Sequence, residues 1–346
     1  MLKKIFALLL CLAVLLSFAA CGQDQIESKP NNQEQVVTIA PTTQPTQPSQ
    51  IPTTEPSVDY SQYLKFTLNN DKQSYTVSVS SFGYSGPGTE LVIPSHHEGL
   101  PVTVVKDLHL SDSDVERVVL PDTVTKLGNY AFSDSKVKDV VFSKNLKEIG
   151  DCVFSGCTNL TQVDLPDGLE KIGASAFRRT SLTTLILPSS VAEMGMDAFA
   201  ELEFLTEATI TCAGGRAFQD CDALQRVTVI QGAGDSISNK AFYGCDALES
   251  IIFEGDNITH IYSEAFYRCV ALTTVILPSK LEFIGAKTFN ACYALDTLEI
   301  PDSVTKMEHD ALMTDPFGDP RGTIICSADS YAEKYAKQNK YTVVNK

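Results

Sequence analysis

The chain has 346 residues, of which 43% are hydrophobic and none is Trp. That apolar content is enough for a folded core, and the low aromatic content favours thin repeated layers over a single bulky centre. The formal charge of −16 at pH 7 opposes binding to nucleic acid and to anionic lipid. We therefore expect no nucleic-acid partner and a basic or neutral ligand instead.

The N-terminus has the pattern of an export signal. Residues 3–4 are lysines, residues 5–18 form an apolar run too short to span a bilayer, and two alanines then precede Cys21. This pattern predicts a signal peptide over residues 1–20. Its removal would take the formal charge from −16 to −18, because both lysines would be lost.

Residues 18–21, Phe-Ala-Ala-Cys, resemble the bacterial lipobox, although that motif more often has Leu where this chain has Phe18. The resemblance implies that Cys21 becomes the first mature residue and carries a diacylglyceryl group. Ordinary secretion is the alternative. No later segment reaches the roughly 18 apolar residues of a spanning helix, so we expect contact with the membrane through the lipid anchor only.

Residues 24–58 are polar, and the run from residue 41 to residue 56 mixes Pro with Thr, Gln and Ser. Such a segment has almost nothing to bury, and it is typical of an extended linker. We therefore assign residues 21–59 to the lipidated N-terminus and its linker, and expect the folded part to begin near Tyr60.

From there the sequence repeats around an apolar anchor, with Leu110 before the first aromatic and Leu312 after the last. The ten anchors recur every 19 to 24 residues, near the 20–29 residue period of leucine-rich repeats, which predicts a solenoid. The aromatic anchors are Phe132, Phe154, Phe177, Phe199, Phe218, Phe242, Phe266 and Phe289.

One copy, residues 160–177, illustrates the expected coil. Pro166 ends a short strand because proline cannot donate to the next rung, and Gly173 is expected to make a turn. One copy cannot bury its own Phe, so stability must come from stacking like residues into interior columns. The expected inward residues of this copy are Leu160, Val163, Leu165, Leu169, Ile172, Ala176 and Phe177.

The recurring pattern I-P-x-x-V-x-x-I-G-x-x-A-F-x-x-C resembles the BspA-like leucine-rich-repeat surface proteins of bacteria. The resemblance covers residues 91 to about 326, and residues 91–102 and 330–337 are similar to that family's opening segment and closing helix. We therefore predict a mainly β repeat solenoid of the leucine-rich-repeat type, with short strands, short helical turns and capped ends. The predicted parts are an N-terminal cap with a divergent repeat (60–114), repeats (115–321) and a C-terminal cap with a short helix (322–346).

One copy departs from the pattern. Residues 211–216 shorten it to 19 residues and lack the usual Pro and Ile-Gly. We expect a kink or a local irregularity there.

Cysteines recur three residues after the anchor Phe, a position that also holds Thr180 and Leu202. A position that accepts small or apolar groups favours unpaired core thiols. Cys152 differs because it lies two residues before Phe154, at an exposed position. It could bridge to Cys157, remain a reactive thiol, or be inert. The recurring cysteines are Cys157, Cys221, Cys245, Cys269 and Cys292.

Candidate catalytic and metal-binding groups are sparse. His96 and His97 are the only adjacent histidines, and two neighbours without a third donor rarely hold a metal. Acidic residues recur at turns, as at Asp122, Asp167 and Asp302, where turn chemistry explains them. No nucleophile, phosphate-binding or dinucleotide motif is present, so we expect no enzyme activity, no metal and no cofactor.

The strands should expose two side chains per coil, which stacking would align into two columns. We predict ligand contact at Ile186, Arg226, Ile252 and Ile276; the alternative is that strands simply favour branched side chains. The first column is Arg117, Asp139, Gln162, Thr184, Glu207, Arg226, Ser250, Thr274 and Thr297. The second is Val119, Val141, Asp164, Ile186, Thr209, Thr228, Ile252, Ile276 and Glu299, with exposed apolar strips expected at Ile252–Ile276 and at Val119–Val141.

These observations favour an adhesin-like protein that is lipid-anchored, exposed at the bacterial surface and bound to an extracellular protein or another cell-surface ligand. For the family, the resemblance implies attachment to host proteins or to other bacteria. The alternatives are an envelope lipoprotein that binds glycan or peptide, and a structural surface component without a dedicated ligand. A hydrolase is disfavoured because repeats and caps occupy everything after residue 60. The sequence does not predict the oligomeric state.

Overall fold

The computed structural model describes residues 59–79, 83–315 and 317–346. The predicted signal peptide, Cys21 and the linker up to residue 58 lie outside the described residues. The rest is a solenoid of about 12 turns, in which the regular secondary structure is nearly all short strands with one short α-helix. The predicted fold, a leucine-rich-repeat solenoid, is confirmed.

The N-terminal elements form an antiparallel hairpin joined to the first coil. Asp59 caps a 3₁₀ turn by accepting a hydrogen bond from the Ser61 amide. The first strand then pairs antiparallel with the second, which runs parallel to the fifth, so the hairpin covers one open end of the stack. These elements are the 3₁₀ turn (Tyr60–Tyr63), β1 (Lys65–Leu68), β2 (Tyr75–Ser78), β3 (Glu90–Val92), β4 (His96–His97) and β5 (Leu100–Val105).

Most coils contribute two short strands, one to each of two sheets. Longer strands of three or four residues alternate along the chain with strands of two residues. They are β6 (Arg117–Val119), β7 (Lys126–Leu127), β8 (Asp139–Val141), β9 (Glu148–Ile149), β10 (Lys171–Ile172), β11 (Thr184–Ile186), β12 (Glu193–Met194), β13 (Glu207–Ile210), β14 (Arg226–Val229), β15 (Ser236–Ile237), β16 (Ser250–Phe253), β17 (His260–Ile261), β18 (Thr274–Ile276), β19 (Phe283–Ile284), β20 (Thr297–Glu299) and β21 (Lys306–Met307).

The C-terminal cap contains β22 (Thr323–Cys326), α1 (Tyr331–Gln338) and β23 (Thr342–Asn345). Ser330 caps α1 by accepting from the Glu333 amide. The Tyr331 hydroxyl accepts from the Met307 amide at 3.2 Å, and the Tyr335 hydroxyl accepts from the Ala311 amide at 3.2 Å. In a longer solenoid, the next coil would accept hydrogen bonds from these two backbone amides. Here the tyrosine hydroxyls of the cap accept them instead. No helix among the described residues has the length and apolarity to cross a membrane.

We call the layer of longer strands the first sheet. It consists of three hydrogen-bonded segments, β3-β6-β8, β11-β13-β14-β16-β18 and β20-β22-β23. The second sheet contains the two-residue strands of the repeats and the longer strands of the N-terminal cap. It consists of β1-β2-β5-β7-β9-β10-β12, with β4 paired to β5, and of β15-β17-β19-β21. All pairs are parallel except β1–β2 and β4–β5.

The interior is organised in columns, as predicted. The eight anchor phenylalanines from Phe132 to Phe289 are all fully buried. Successive rings stack with centroids 5.0 to 5.4 Å apart. Each ring therefore gains most of its burial from the coils on either side of it, which explains why a single copy could not fold alone.

The third side of each coil, where short helical turns were expected, is built from hydrogen-bonded turns. Residues two before the anchor Phe have positive φ in every coil from Tyr130 onwards, although they are not glycine. Their side chains point away from the core, and Tyr130 is 54% exposed. These left-handed residues are Tyr130, Cys152, Ser175, Asp197, Arg216, Lys240, Glu264, Lys287 and Asp310.

The turn expected at Gly173 is present, since β10 ends at Ile172 and turns begin at residue 174, but backbone freedom is not the reason for glycine there. Its φ lies outside the left-handed region that favours glycine, so another residue could follow the same backbone path. Instead, a Cβ on Gly173 would lie 2.6 Å from the Asp151 amide nitrogen of the preceding coil. Glycine is required there because two backbones approach each other closely.

The irregularity expected at residues 211–216 is present. The second sheet stops at β12 and resumes at β15, and the shortened coil contributes only an isolated bridge from Ala213 to Ile237. The first sheet is not interrupted here, since β13 pairs in register with β14. The missing residues come from the connection between the two sheets, because Ile210 and Ala213 are three positions apart whereas their partners Val229 and Ile237 are eight apart.

Candidate binding surfaces

The central segment of the first sheet aligns one outward residue from each of five strands. Strand registers place Ile186 beside Thr209, Thr209 beside Thr228, Thr228 beside Ile252, and Ile252 beside Ile276. We call these five residues the isoleucine–threonine strip. Parallel strands lie about 4.8 Å apart, so the strip is about 19 Å long.

The strip is exposed at both ends. Ile186 is 71% exposed and Ile276 is 52% exposed, whereas Ile252 is half-buried between its neighbours. The residues that precede Ile186 and Ile252 on their strands, Leu185 and Ile251, are buried. This alternation confirms the predicted inside–outside register of these strands.

Arg226 lies in the other outward column and forms an ion pair with Glu207 on the adjacent strand. Its side chain is 54% exposed and that of Glu207 is 50% exposed. Ion pairs this exposed contribute only about 0.2–1 kcal/mol to stability. The pair leaves Arg226 available to a ligand but supplies no net positive charge.

The exposed strip expected at Val119 and Val141 is wrong. Val119 is only 8% exposed and Val141 is half-buried. Val119 is on the middle strand of its segment, and strand register places Val92 on one side and Val141 on the other. Cross-strand neighbours have Cβ atoms about 5 Å apart, so the flanking valines cover it.

The predicted columns are also broken at one coil. Residues 160–165 form no strand, although Leu160 and Leu165 are buried and Val163 packs against the core. Gln162 and Asp164 are exposed beside this gap, and Asp is disfavoured in strands. The first sheet therefore ends at β8 and resumes at β11.

The recurring cysteines form a second interior column with a specific role. Each thiol donates a hydrogen bond to the carbonyl of an anchor Phe in the preceding coil, for example Cys245 to Phe218 at 3.1 Å. All eight described cysteines, Cys152 and Cys157 included, are unpaired. The other thiol-to-carbonyl pairs are Cys157 to Phe132, Cys221 to Phe199, Cys269 to Phe242, and Cys292 to Phe266, at 3.0 to 3.2 Å.

Burial makes these thiols poor nucleophiles. Desolvation raises the pKa of Cys221 to about 12 and that of Cys292 to about 12, and it raises the pKa of half-buried Cys152 as well. A protonated thiol is unreactive. Cys152 therefore fits an inert thiol better than a reactive one.

The adjacent histidines have a packing role. The His97 ring stacks on Phe66 at 3.9 Å and meets the edge of Tyr75 at 4.9 Å, while His96 contacts the Ser95 hydroxyl at 3.0 Å. Within the described residues, no group of three or more His, Cys, Asp or Glu side chains is arranged to hold a metal ion.

Sequence reasoning placed no site on the second sheet. Its outward column holds charged or small residues at most positions, such as Lys171, Glu193 and Ser236, but aromatic ones at His260 and Phe283. The sequence contains this change from polar to aromatic residues. Whether the aromatic residues form a binding surface depends on which residues of other coils lie next to them.

Comparison with known families decides the classification. A model of the BspA type leucine rich repeat region matches residues 76–206 and 201–315, in six copies. The chain belongs to this family. Leucine-rich-repeat solenoids of this kind are typically non-catalytic. Comparison with curated proteins finds no match.

Solved structures of bacterial leucine-rich-repeat proteins resemble the chain at low identity. A Treponema pallidum leucine-rich-repeat protein is 23% identical with a TM-score of 0.46, covering 68% of this chain and 88% of that one. A Bacteroides ovatus leucine-rich-repeat protein is 20% identical with a TM-score of 0.41, covering 82% and 98%. The pneumococcal vaccine antigen PcpA is 16% identical with a TM-score of 0.40, covering 82% and 97%.

Proposed function

We propose that this BspA-type protein is an adhesin-like binding protein, lipid-anchored through Cys21 and exposed at the bacterial cell surface. Its ligand would be an extracellular protein or another cell-surface molecule that docks on the first sheet. The observation that supports this proposal is the isoleucine–threonine strip, which aligns outward branched side chains across five hydrogen-bonded strands and is exposed at both ends.

The strip has the make-up of a small protein-docking surface. Ile186, Ile252 and Ile276 supply apolar contact area, while Thr184 and the Arg226–Glu207 pair supply a polar edge. An apolar centre with a polar rim is typical of protein interfaces. The side chains also stand on paired strands, so little conformational entropy would be lost when a ligand binds.

The decisive experiment replaces Ile252 and Ile276 together with Glu. Both side chains point outward, so folding should survive, while binding should weaken by about 2 kcal/mol or more if they are anchors. The measurement is binding of residues 59–346 to immobilised fibronectin, laminin and collagen and to intact bacteria, with a melting curve for each variant.

A matched control replaces Tyr130 and Met196 with Glu. These residues are 54% and 53% exposed, and neither lies on the first sheet. Lys240 and Glu264 are less suitable because their ion pair at 3.6 Å would couple the two changes. Equal binding by the Ile252→Glu/Ile276→Glu variant and the wild type, with unchanged melting, would contradict the proposal.

The anchor is tested separately. Changing Cys21 to Ser should release the protein from the membrane fraction, because one thioether-linked diacyl group supplies the two chains needed for stable attachment. Recovery of the variant wholly in that fraction would rule out the lipid anchor.

A further inference from the structure

The shortened coil opens a recess on the second sheet. Its volume is about 390 Å³, within the range of 300–1,000 Å³ that is usual for small-ligand sites. The spacing from Phe199 to Phe218 is only 19 residues, and a single bridge at Ala213 replaces a full strand. The recess therefore lies where the shortened coil contributes only this bridge between β12 and β15.

The recess is lined by glycine backbone and by both polar and apolar side chains. Gly173, Gly195 and Gly214 line it without side chains. Ser236 and Ser238 also line it, and their hydroxyls make no hydrogen bond to any other described residue. Free donors and acceptors thus surround a space in which the backbone is accessible.

The charge of the recess selects against anions. Asp151, Glu193 and Asp235 contribute three carboxylates to the lining, against the single ammonium group of Lys171. Lys171 is itself paired with Glu193 at 3.0 Å. Phosphates, sulfates and acidic sugars would meet net negative charge there.

Aromatic rings adjoin the recess on the next coils. Strand register places Ser236 beside His260 and His260 beside Phe283. The Tyr262 ring lies 5.8 Å from that of His260 and 5.7 Å from that of Phe283, and Tyr262 is 38% exposed. The Lys306 ammonium lies 5.0 Å from the Phe283 centroid. We call His260, Tyr262 and Phe283 the aromatic platform.

We propose that the second sheet carries a separate binding site for an uncharged glycan. One sugar ring would stack on the aromatic platform, since the C–H face of a pyranose is apolar and suits an exposed aromatic ring. The adjoining sugars would enter the recess, where their hydroxyls meet Ser236, Ser238 and the Asp235 carboxylate. Adjacent coils are about 4.8 Å apart, so a short oligosaccharide could cover both parts.

An uncharged glycan fits these features better than a peptide. A peptide of ordinary sequence would need apolar pockets for alternate side chains. Most residues that line the recess are instead glycine, alanine, serine or charged, and Ile172 and Met194 are the only large aliphatic residues among them. The first-sheet proposal concerns a different surface, because the inward residues of both sheets contribute to one core between them. The two sites can therefore be tested independently.

The test is calorimetric titration of residues 59–346 with four pentasaccharides: cellopentaose, maltopentaose, N,N′,N″,N‴,N⁗-pentaacetylchitopentaose and pentagalacturonate. We expect saturable binding of at least one neutral sugar and none of the galacturonate. Tyr262→Ala should weaken binding about tenfold through loss of stacking, whereas Tyr262→Phe should keep most of the affinity. Ser236→Ala/Ser238→Ala should also weaken it.

Tyr130→Ala is the matched control, since Tyr130 is an exposed tyrosine on the third side of the coil. It should bind like the wild type, as should Ile252→Glu/Ile276→Glu on the first sheet. Melting curves establish that each variant is folded. The proposal is overturned if no neutral pentasaccharide binds, if galacturonate binds equally well, if folded Tyr262→Ala keeps full affinity, or if the first-sheet variant loses sugar binding.

Discussion

The two sheets of the solenoid use their outward positions differently. In the first sheet, both outward columns hold side chains of every kind, from Arg226 to Ile186. In the second sheet, one outward column holds glycine at Gly150, Gly173, Gly195 and Gly285, where a Cβ would lie within 3.0 Å of backbone atoms in the preceding coil.

This difference separates the positions that build the repeat from those free to vary. Where the backbones of two coils approach closely, only glycine fits without a clash. A different residue in the glycine column, such as Tyr262, therefore marks a local change in structure or function. Where side chains only face solvent, variation costs little stability and can serve ligand recognition. The predictions below test whether the two sheets differ as strongly as this interpretation requires.

The largest expected effect lies in the core that both sheets share. Replacing Phe177 with Ala should reduce the free energy of unfolding by about 3–5 kcal/mol, because the ring is fully buried between two others. The same change at Tyr130 should cost far less, since that ring is 54% exposed. Urea unfolding of both variants measures the difference, and equal losses would show that the inside–outside register is wrong.

In the second sheet, Gly173→Ala should reduce the free energy of unfolding by about 1–3 kcal/mol, as for overpacked sites. Its Cβ would lie 2.6 Å from the Asp151 amide nitrogen, and backbone atoms cannot move aside as a flexible side chain can. Gly88→Ala is an instructive contrast: a Cβ there meets nothing within 4 Å, although φ is +78°. If Gly173→Ala unfolds at the same urea concentration as the wild type, close approach does not explain the glycine column.

The repeat period and the alternation of apolar residues were sufficient to predict the solenoid, the Phe column and the outward direction of Ile186 and Ile276. They were not sufficient for Val119, because its burial depends on valines of two other coils that are distant in sequence. The strand expected at residues 160–165 is absent. The apolar pattern predicts a strand there, but it does not show whether Asp164 prevents regular strand pairing.

The recess could not be predicted for a related reason. The short spacing between Phe199 and Phe218 indicates an irregular coil, but it does not show which part of the coil loses residues. That depends on the hydrogen bonds of β13, which keep the first sheet intact and leave the second sheet with a single bridge. The spacing of the anchor residues gives the length of each coil. The position of a deletion within the coil is determined by the hydrogen bonds between neighbouring coils.

The cysteine column predicts a pH effect within the core. Unfolded thiols titrate near pH 8.5, whereas burial raises the pKa of Cys221 in the folded protein to about 12. Because the folded pKa is the higher one, the stabilisation is fully present below about pH 8.5 and is lost as the pH rises towards 12. Cys221 should therefore contribute roughly 1 kcal/mol of destabilisation between pH 7 and pH 9.

Cys221→Thr isolates this contribution, since Thr180 occupies the equivalent position in another coil. Urea unfolding of the variant and the wild type at pH 7 and pH 9 should show a smaller pH dependence in the variant. Working at pH 9 or below limits interference from tyrosines, which ionise near pH 10 when unfolded. An identical pH dependence would mean that the thiol is accessible to water in the folded state.

The smallest expected effect is in the first sheet. Ile186 is 71% exposed, so Ile186→Ala should change the free energy of unfolding by no more than about 0.5 kcal/mol. Its neighbour on the same strand, Leu185, is 2% exposed, and Leu185→Ala should cost about 2–5 kcal/mol. One strand thus contains both extremes, and urea unfolding of the two variants compares them without any difference in local backbone. A large loss at Ile186 would mean that its side chain supports the sheet, in which case its exposure could not be attributed to ligand recognition and the contrast between the two sheets would narrow.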